Sequence, residues 1–350
     1  MKTSVVIATY NGSRFIQEQL DSIINQTVLP DEIVISDDGS TDSTIDIIKS
    51  FFRQHSNLPI HCLLVVNKPA HHGVLGNFQN AVNHSSGDYV FFCDQDDIWL
   101  PNKIERLVEV LDSCEEKVVI HDAQVLKESE NGVFNLIDKH LMGDFSFNSN
   151  GLCKINGPAL IWQSFYYCVI QGMCVSVKRD YLLSVSPFSK GSNHDNWTLF
   201  CATADDTIMA IRDSLAYYRI HKGNTAGISE FKKKRPLWER VKTFDYKGKE
   251  SILKQYLWYK DASAYLGNRE ILDDKVRLLI SFFADKRIKA VTKNKLAAVI
   301  DLVKAYKEGA YEIDRSIVFF HDIAFVMMHS QKARNDYIRT FKQNLRSITG

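Results

Sequence analysis

Apolar runs of strand length alternate with helically spaced apolar residues along the first third of the chain. Residues 4–9 (SVVIAT) are a continuous, largely β-branched run, closed by Asn11-Gly12, where the backbone can turn with a positive φ. Ile16, Leu20, Ile23 and Ile24 then recur at helical spacing, so a helix is expected over 15–25, ending before Pro30. A second strand at 33–36 runs into Asp37-Asp38-Gly39-Ser40-Thr41-Asp42. Ser40 or Thr41 is expected to cap the next helix, whose apolar face is Ile45, Ile48, Phe51 and Phe52. A third strand falls within 60–66 and a helix within 75–83, and a fourth strand follows Gly87.

That fourth strand opens the densest chemistry in the chain, YVFFCDQDDIWLP at 89–101. Four apolar or aromatic residues predict a buried strand, and Asp94, Asp96 and Asp97 follow it before the pattern turns helical. Carboxylates this close repel one another and are costly to desolvate, so they are expected to face a cation, water or both; the plain alternative is a solvated acidic turn. A helix through Ile104, Leu107, Val108 and Leu111 and a strand at 118–121 come next. Residues 125–155 are polar, weakly periodic and read as a long loop with local structure.

Strand and helix alternation with short connections predicts a doubly wound α/β sheet. Ligands in such sheets sit beyond the carboxyl ends of the strands, which selects Thr9-Tyr10-Asn11, Asp37-Asp38 and residues 94–97 as one shared edge. Neither GxGxxG after the first strand nor GxxxxGK[ST] occurs, which counts against a dinucleotide oxidoreductase and a P-loop nucleotidase. Acidic strand ends suit a pyrimidine imide or ribose hydroxyls, and they reach a diphosphate through a bridging Mg²⁺ or Mn²⁺.

Charge and cysteine content refine this picture. The formal charge of +1 hides 26 Lys and Arg against 15 Asp and Glu from residue 229 onward, so an acidic part precedes a basic one. The seven cysteines have no metal-ligand spacing and read as reduced thiols. No signal peptide is expected, and the apolar stretch at 159–177 is interrupted by Gln163, Ser164, Gln171 and Gly172, so it reads as buried protein.

SVVIATYNG, IVISDDGSTDST, the DxD-type CDQDDIWLPNKI, HDNWTLFCA and YRIHKGN, in this order over about residues 3–225, resemble the family 2 glycosyltransferases. These are inverting nucleotide-sugar enzymes of the GT-A fold, and DQDDIW, HDNW and YRIHKGN look most like bacterial rhamnosyltransferases of polysaccharide assembly. The resemblance implies that Thr9, Tyr10 and Asn11 flank the base, with Asp38 accepting from its imide and Asp37 nearby. Asp94 and Gln95 would lie on the ribose or metal side, Asp96 would hold the diphosphate-bridging metal, and Asp97 would support that site. Asp195 matches the family's base, Gly172 and Trp197 fall on the acceptor side, and Arg219 and His221 would return a cation and a metal ligand to the diphosphate.

Bland alternatives stand beside several of these. Asp37, Ser40 and Asp42 suit a helix cap and turn, Gly172 a hairpin corner, Trp197 the core, and His221 a structural role. His194 has no decided role.

The catalytic domain is expected over 1–228 and a basic, mainly helical extension over 229–350. FKKKRPLWERVKTF at 231–244 suits an anionic bilayer surface or a basic linker, and no nucleic-acid motif accompanies it. Apolar sets such as Ile252, Tyr256 and Tyr259, and Leu296, Val299, Ile300 and Val303, predict three to five helices. These would dock on the catalytic part, orient it at a membrane or pair it with a second copy. The expected enzyme is cytoplasmic or peripheral at the membrane's inner face and transfers L-rhamnose from dTDP-β-L-rhamnose to a glycan or polyprenyl-diphosphate-linked acceptor in O-antigen or capsule synthesis. A UDP-hexose or UDP-N-acetylhexosamine donor, and a non-catalytic nucleotide-sugar-binding protein, are the alternatives.

Overall fold

The computed structural model describes residues 1–67, 73–142, 147–156, 170–224, 256–267, 280–308, 310, 317–336 and 338–340. Contacts divide the chain into two units, residues 1–188 with 193–227, and residues 189–192 with 228–350. Residues 159–169 of the apolar stretch, and the basic segment 231–244, lie outside the described residues.

The first unit is built on a mixed, ten-stranded sheet. Strands β1 (Thr3–Thr9), β2 (Glu32–Asp37), β3 (His61–Val66) and β4 (Tyr89–Asp94) form a parallel block in the order β3-β2-β1-β4. β1, β2 and the apolar part of β4 are almost wholly buried, which is why they read as unbroken apolar runs and not as alternations. Helix α1 (Ile16–Ile24) buries Ile16, Leu20 and Ile23, each a gain of about 1.5–3 kcal/mol over exposure. Helices α2 (Thr44–Gln54) and α3 (Gly73–His84) complete the crossovers.

Strand order explains where a ligand can enter. From β1 the chain moves out to β2 and β3, then α3 returns it to place β4 on the other side of β1. The connections leaving β1 and β4 therefore part, opening a crevice at their carboxyl ends. Register brings Ala8 opposite Asp94 and Thr9 opposite Asp37, so the polar strand ends lie level.

Beyond β4 the sheet continues through β9 (Val175–Lys178), β6 (Val118–Glu128), β10 (Ile208–Ile220) and the two-residue β5 (Ile98–Trp99). Helices α4 (Lys103–Ser113), α5 (Arg179–Ser184) and α6 (His194–Ala204) belong to the same unit. The local structure expected within 125–155 is more regular than a loop: β6 runs on to Glu128 and turns into β7 (Phe134–His140), and β8 (Leu152–Lys154) pairs with β10. This hairpin rests on backbone pairing and on Asp122, which accepts from the Leu141 and Met142 amides. Its strand β7 is largely exposed, so no buried face imposed a hydrophobic alternation. The cap of α2 also differs. Ser43 takes the cap position, Asp42 accepts from the Thr44 amide at 3.0 Å, and Ser40 is drawn back to Asp37.

From residue 256 onward the described residues of the second unit are mainly helical, including 256–266, Arg287–Thr292, Lys295–Lys307 and Ile317–Met328. Along Lys295–Lys307 the buried residues are Ala298, Leu302 and Ala305, while Leu296 and Ile300 are exposed. The packed face is thus not the one the larger side chains suggested. Arg287 and Asp322 form a buried bidentate ion pair, with Nε at 2.7 Å and Nη2 at 2.6 Å from the carboxylate oxygens. Among the described residues no helix is long and apolar enough to cross a membrane.

Candidate active site

Two loops at the carboxyl edge are tied together before any ligand is considered. Asp37, fully buried, accepts from Thr9 Oγ1 at 2.8 Å, the Gly39 and Ser40 amides at 3.0 and 2.8 Å, and Ser40 Oγ at 2.6 Å. Asn11, with φ of 48°, accepts from the Thr41 amide on Oδ1 and donates its own amide to Ser40 Oγ. The hydrogen-bonding groups of Asp37 and Asn11 organise the turn, and neither residue is in the lining of the cavity described below. Asp38, next in sequence, does line it. Its Oδ2 accepts from the Gly73 amide at 2.9 Å, and Asn67 Nδ2 lies 3.4 Å from Oδ1.

The acidic turn after β4 is clamped to the first loop by Gln95. Its Oε1 accepts from the Tyr10 amide at 3.0 Å and its Nε2 donates to the Tyr10 carbonyl at 3.2 Å. Gly12 lets this clamp close, since a Cβ there would lie 2.2 Å from Gln95 Oε1 and displace the side chain. The positive φ expected at Asn11-Gly12 is taken by Asn11, so the glycine serves close approach.

The carboxylates of this turn differ in their surroundings. Asp97 is buried, and its Oδ1 accepts from the Arg219 amide at 2.9 Å, joining the turn to β10. Burial, then the charges of Asp96 and Asp94, push its carboxyl well up. Burial likewise raises Asp94, reinforced by Asp96 and Asp195. Beneath them Lys103, 1% exposed, donates to the Met173 carbonyl at 2.6 Å and stands 3.9 Å from the Trp99 ring centroid. Burial lowers its ammonium to about 8.

These elements enclose a cavity of about 430 Å³, within the range of small-ligand sites. Thr9, Tyr10, Asp38, Asn77 and Phe78 line one part of it, Asp94, Gln95 and Asp96 another, and Gln171, His194 and Asp195 a third. Asp195 stands in the first turn of α6, where the helix terminus favours an anion, and its Oδ1 accepts from the Asn196 amide at 2.8 Å. Of the polar residues here, Asn77 and Gln171 had no signal in the apolar spacing, which marks buried faces but not the polar groups set into them. Asn77 Nδ2 donates to the Thr9 carbonyl at 3.0 Å and so holds the end of β1.

Three expected residues are placed differently from one another. His221 lies against the acidic turn: its Nε2 is 2.9 Å from Asp96 Oδ2, its Nδ1 accepts from the Gly223 amide at 3.1 Å, and its ring packs on Phe15. With Nδ1 accepting, the neutral ring carries its proton on Nε2, toward Asp96. The Arg219 guanidinium is buried between Phe15 and Phe134 and paired with Glu18, outside the cavity lining. Trp197 is 5% exposed, donates from Nε1 to the Val185 carbonyl at 2.7 Å and stacks on Phe200, the arrangement of a core side chain. Gly172 follows the cavity-lining Gln171 in sequence and is not itself in the lining; a Cβ there would lie 2.8 Å from His194 Nε2.

Residues 4–169 match the family model described as Glycosyl transferase family 2. An uncharacterised glycosyltransferase of Nostoc sp. is 29% identical over 227 residues, 64% of this chain and 66% of that protein, so the match covers just under two thirds of its length. The dTDP-rhamnosyl transferase RfbG of Shigella flexneri is 29% identical over 236 residues, 63% of this chain and 73% of that protein. Among solved structures, S. aureus TarS in complex with UDP-GlcNAc aligns with a TM-score of 0.56 at 15% identity, over 99% of this chain and 92% of that one. That likeness speaks to the fold, a GT-A type α/β arrangement with helices following it.

Proposed function

We propose, from the premise that this chain belongs to glycosyl transferase family 2 through residues 4–169, that it transfers a sugar from a nucleoside diphosphate to a hydroxyl with inversion and with the help of a divalent cation. The observation that carries the reading is one cavity at the switch point of the sheet, lined by Asp38, Asp94, Asp96 and Asp195. In this reading Asp38 and Tyr10 would meet the base, and Asp96 the diphosphate end.

The residues present fit Mg²⁺ or Mn²⁺. Asp96 Oδ2 and His221 Nε2 already face each other at 2.9 Å, and a cation would replace the proton between them. Among the described residues no group of three His, Cys, Asp or Glu side chains forms a cage. A hard cation held by one or two side chains keeps its remaining positions for phosphate oxygens and water, which is how such ions bind alongside phosphates. The bound ion would supply charge neutralisation of the leaving diphosphate. Asp94 and Asp97, raised by burial and then by the neighbouring carboxylates, Asp96 foremost, would gain from the same positive charge.

Asp195 serves as the base. Its carboxylate takes the proton of the attacking hydroxyl as that oxygen bonds to the anomeric carbon; the bond from that carbon to the phosphate oxygen breaks, and its electron pair leaves with the nucleoside diphosphate. Attack from the face opposite the leaving group gives inversion.

L-Rhamnose from dTDP-β-L-rhamnose is the favoured donor, supported by the similarity to the S. flexneri protein, with a glycan or lipid-linked glycan as acceptor. A second reading, a UDP-linked hexose, is supported by a 37% identity over 100 residues to the poly(ribitol-phosphate) beta-glucosyltransferase of Bacillus spizizenii, 28% of this chain and 15% of that protein. Thermal stabilisation by dTDP-rhamnose and UDP-sugars, each with and without Mn²⁺ or Mg²⁺, tests the assignment. A metal-dependent shift with one donor is expected. No shift with any of them, in either metal, would remove the donor site.

A further inference from the structure

The helix Lys295–Lys307 of the second unit turns its small side chains inward and its large apolar ones out. Ala298, Leu302 and Ala305 are buried, whereas Leu296 is 73% and Ile300 56% exposed. At about 3.6 residues per turn, Leu296, Ile300 and Val303 fall along one stripe opposite the buried three, with Lys307 at its end. The exposed Met327 adjoins the first turn, because Lys295 Nζ donates to the Met327 carbonyl at 2.9 Å. A helix whose outer face meets only water carries polar residues there. An apolar stripe in that position marks a contact surface.

Charge selects the kind of contact. Lys293 and Lys295 stand at the start of the helix, and Lys304 and Lys307 in its last turn. The acids of this segment, Asp301 and Glu308, fall off the stripe, and each already faces a lysine: Lys293 Nζ lies 2.5 Å from Asp301 Oδ2 and Lys304 Nζ 3.9 Å from Glu308 Oε1. Lys295 and Lys307 have no carboxylate partner among the described residues. Lysines at both ends oppose pairing with a second copy. Laid stripe to stripe and antiparallel, two such helices bring Lys304 and Lys307 against Lys293 and Lys295; laid parallel, each lysine meets itself. An anionic lipid surface satisfies both features, since the stripe can enter the boundary between headgroups and acyl chains while the lysine ammonium groups reach the headgroups.

We propose that the face of Leu296, Ile300 and Val303 docks the second unit on an anionic bilayer, with the helix lying flat and Lys304 and Lys307 on the headgroups. The inference does not depend on the transferase reading, and it assigns the contact to this helix and not to the basic segment 231–244.

The test uses the full chain and sedimentation with vesicles of phosphatidylcholine alone or mixed with phosphatidylglycerol. Wild type is expected to partition about tenfold more strongly onto the mixed vesicles. Leu296→Gln together with Ile300→Gln should weaken that partitioning about tenfold or more. Lys304→Gln together with Lys307→Gln should weaken it about tenfold on mixed vesicles and leave it unchanged on phosphatidylcholine. The substituted side chains are solvent-facing, so the urea midpoint is expected to stay at the wild-type value; should the apolar pair unfold the unit, the lysine pair decides. Wild-type partitioning by both variants would overturn the proposal and move the contact elsewhere in the chain. So would a wild type that fails to bind the mixed vesicles or binds both kinds equally. A wild type that is dimeric without vesicles, and monomeric once Leu296→Gln and Ile300→Gln are introduced, would give the face to a second copy and overturn it as well.

Discussion

Replacing His194 by Phe separates the chemistry of this residue from its packing, because the ring cage of Phe78, Phe92 and Phe188 accepts either side chain. Burial lowers the imidazole from 6.5 to about 4, with Asp195 opposing the shift weakly. The folded pKa lies below the unfolded one, so the unfolded chain takes up the proton first. The stability linked to this group is therefore complete above pH 6.5 and is lost as pH falls toward 4. The full shift corresponds to about 3 kcal/mol, and about 2 kcal/mol of it is gone at pH 5. Urea unfolding of wild type and His194→Phe at pH 7 and pH 5 reads this as a difference of differences. His121, also buried and pushed well down, titrates in both proteins and cancels. Wild type should lose about 2 kcal/mol more than the variant between the two pH values. Hydrogen exchange of α6 amides locates the loss in the first unit. Equal losses in the two proteins would refute the buried, neutral state assigned to His194.

Three further outcomes are expected. Gly172→Ala should lower the stability of the first unit by about 1–3 kcal/mol, because its Cβ would press on His194; an unchanged urea midpoint would contradict that close approach. Asp96→Asn should abolish the Mn²⁺-dependent part of the thermal shift given by a nucleoside diphosphate, as EDTA should in the wild type; a shift that survives both would move the cation site elsewhere. Asp322→Ala strands the buried Arg287 guanidinium and should destabilise the second unit by about 3–5 kcal/mol, whereas a double replacement of Arg287 by Met and Asp322 by Ala should recover much of it. If the double variant unfolds as readily as the single, hydrogen exchange in residues 287–292 will show that the pair is not the cause.

Much of the edge was readable because parallel strands are buried on both sides and leave unbroken apolar runs that end where the charges begin. Thr9, Asp37 and Asp94 end three adjacent strands, and their levels follow from the register. What spacing does not show is which side of a strand-end turn a carboxylate takes. Asp37 and Asp38 are neighbours in sequence, yet one saturates the turn and the other lines the cavity. Arg219 and Trp197 belong to motifs with chemical content but are claimed by Phe15, Phe134 and Phe200, partners distant in sequence or indistinguishable from ordinary core. The hairpin of β6 and β7 was invisible for another reason: its pairing is made by backbone groups on an exposed strand. Lys103 illustrates the converse, a lysine on an amphipathic helix that spacing does not single out and that is buried within the field of Asp97 and Asp94.

The most direct measurement is donor consumption by the full chain with Mn²⁺, comparing wild type with Asp195→Asn across dTDP-β-L-rhamnose and the UDP-sugars. The expected result is release of nucleoside diphosphate from one donor by the wild type, a fall of about 10²–10⁴-fold in the variant, and donor affinity retained by both. Consumption undiminished in Asp195→Asn would displace the base, and no binding or consumption of any donor by the wild type would contradict the assignment of this cavity to nucleotide-sugar transfer.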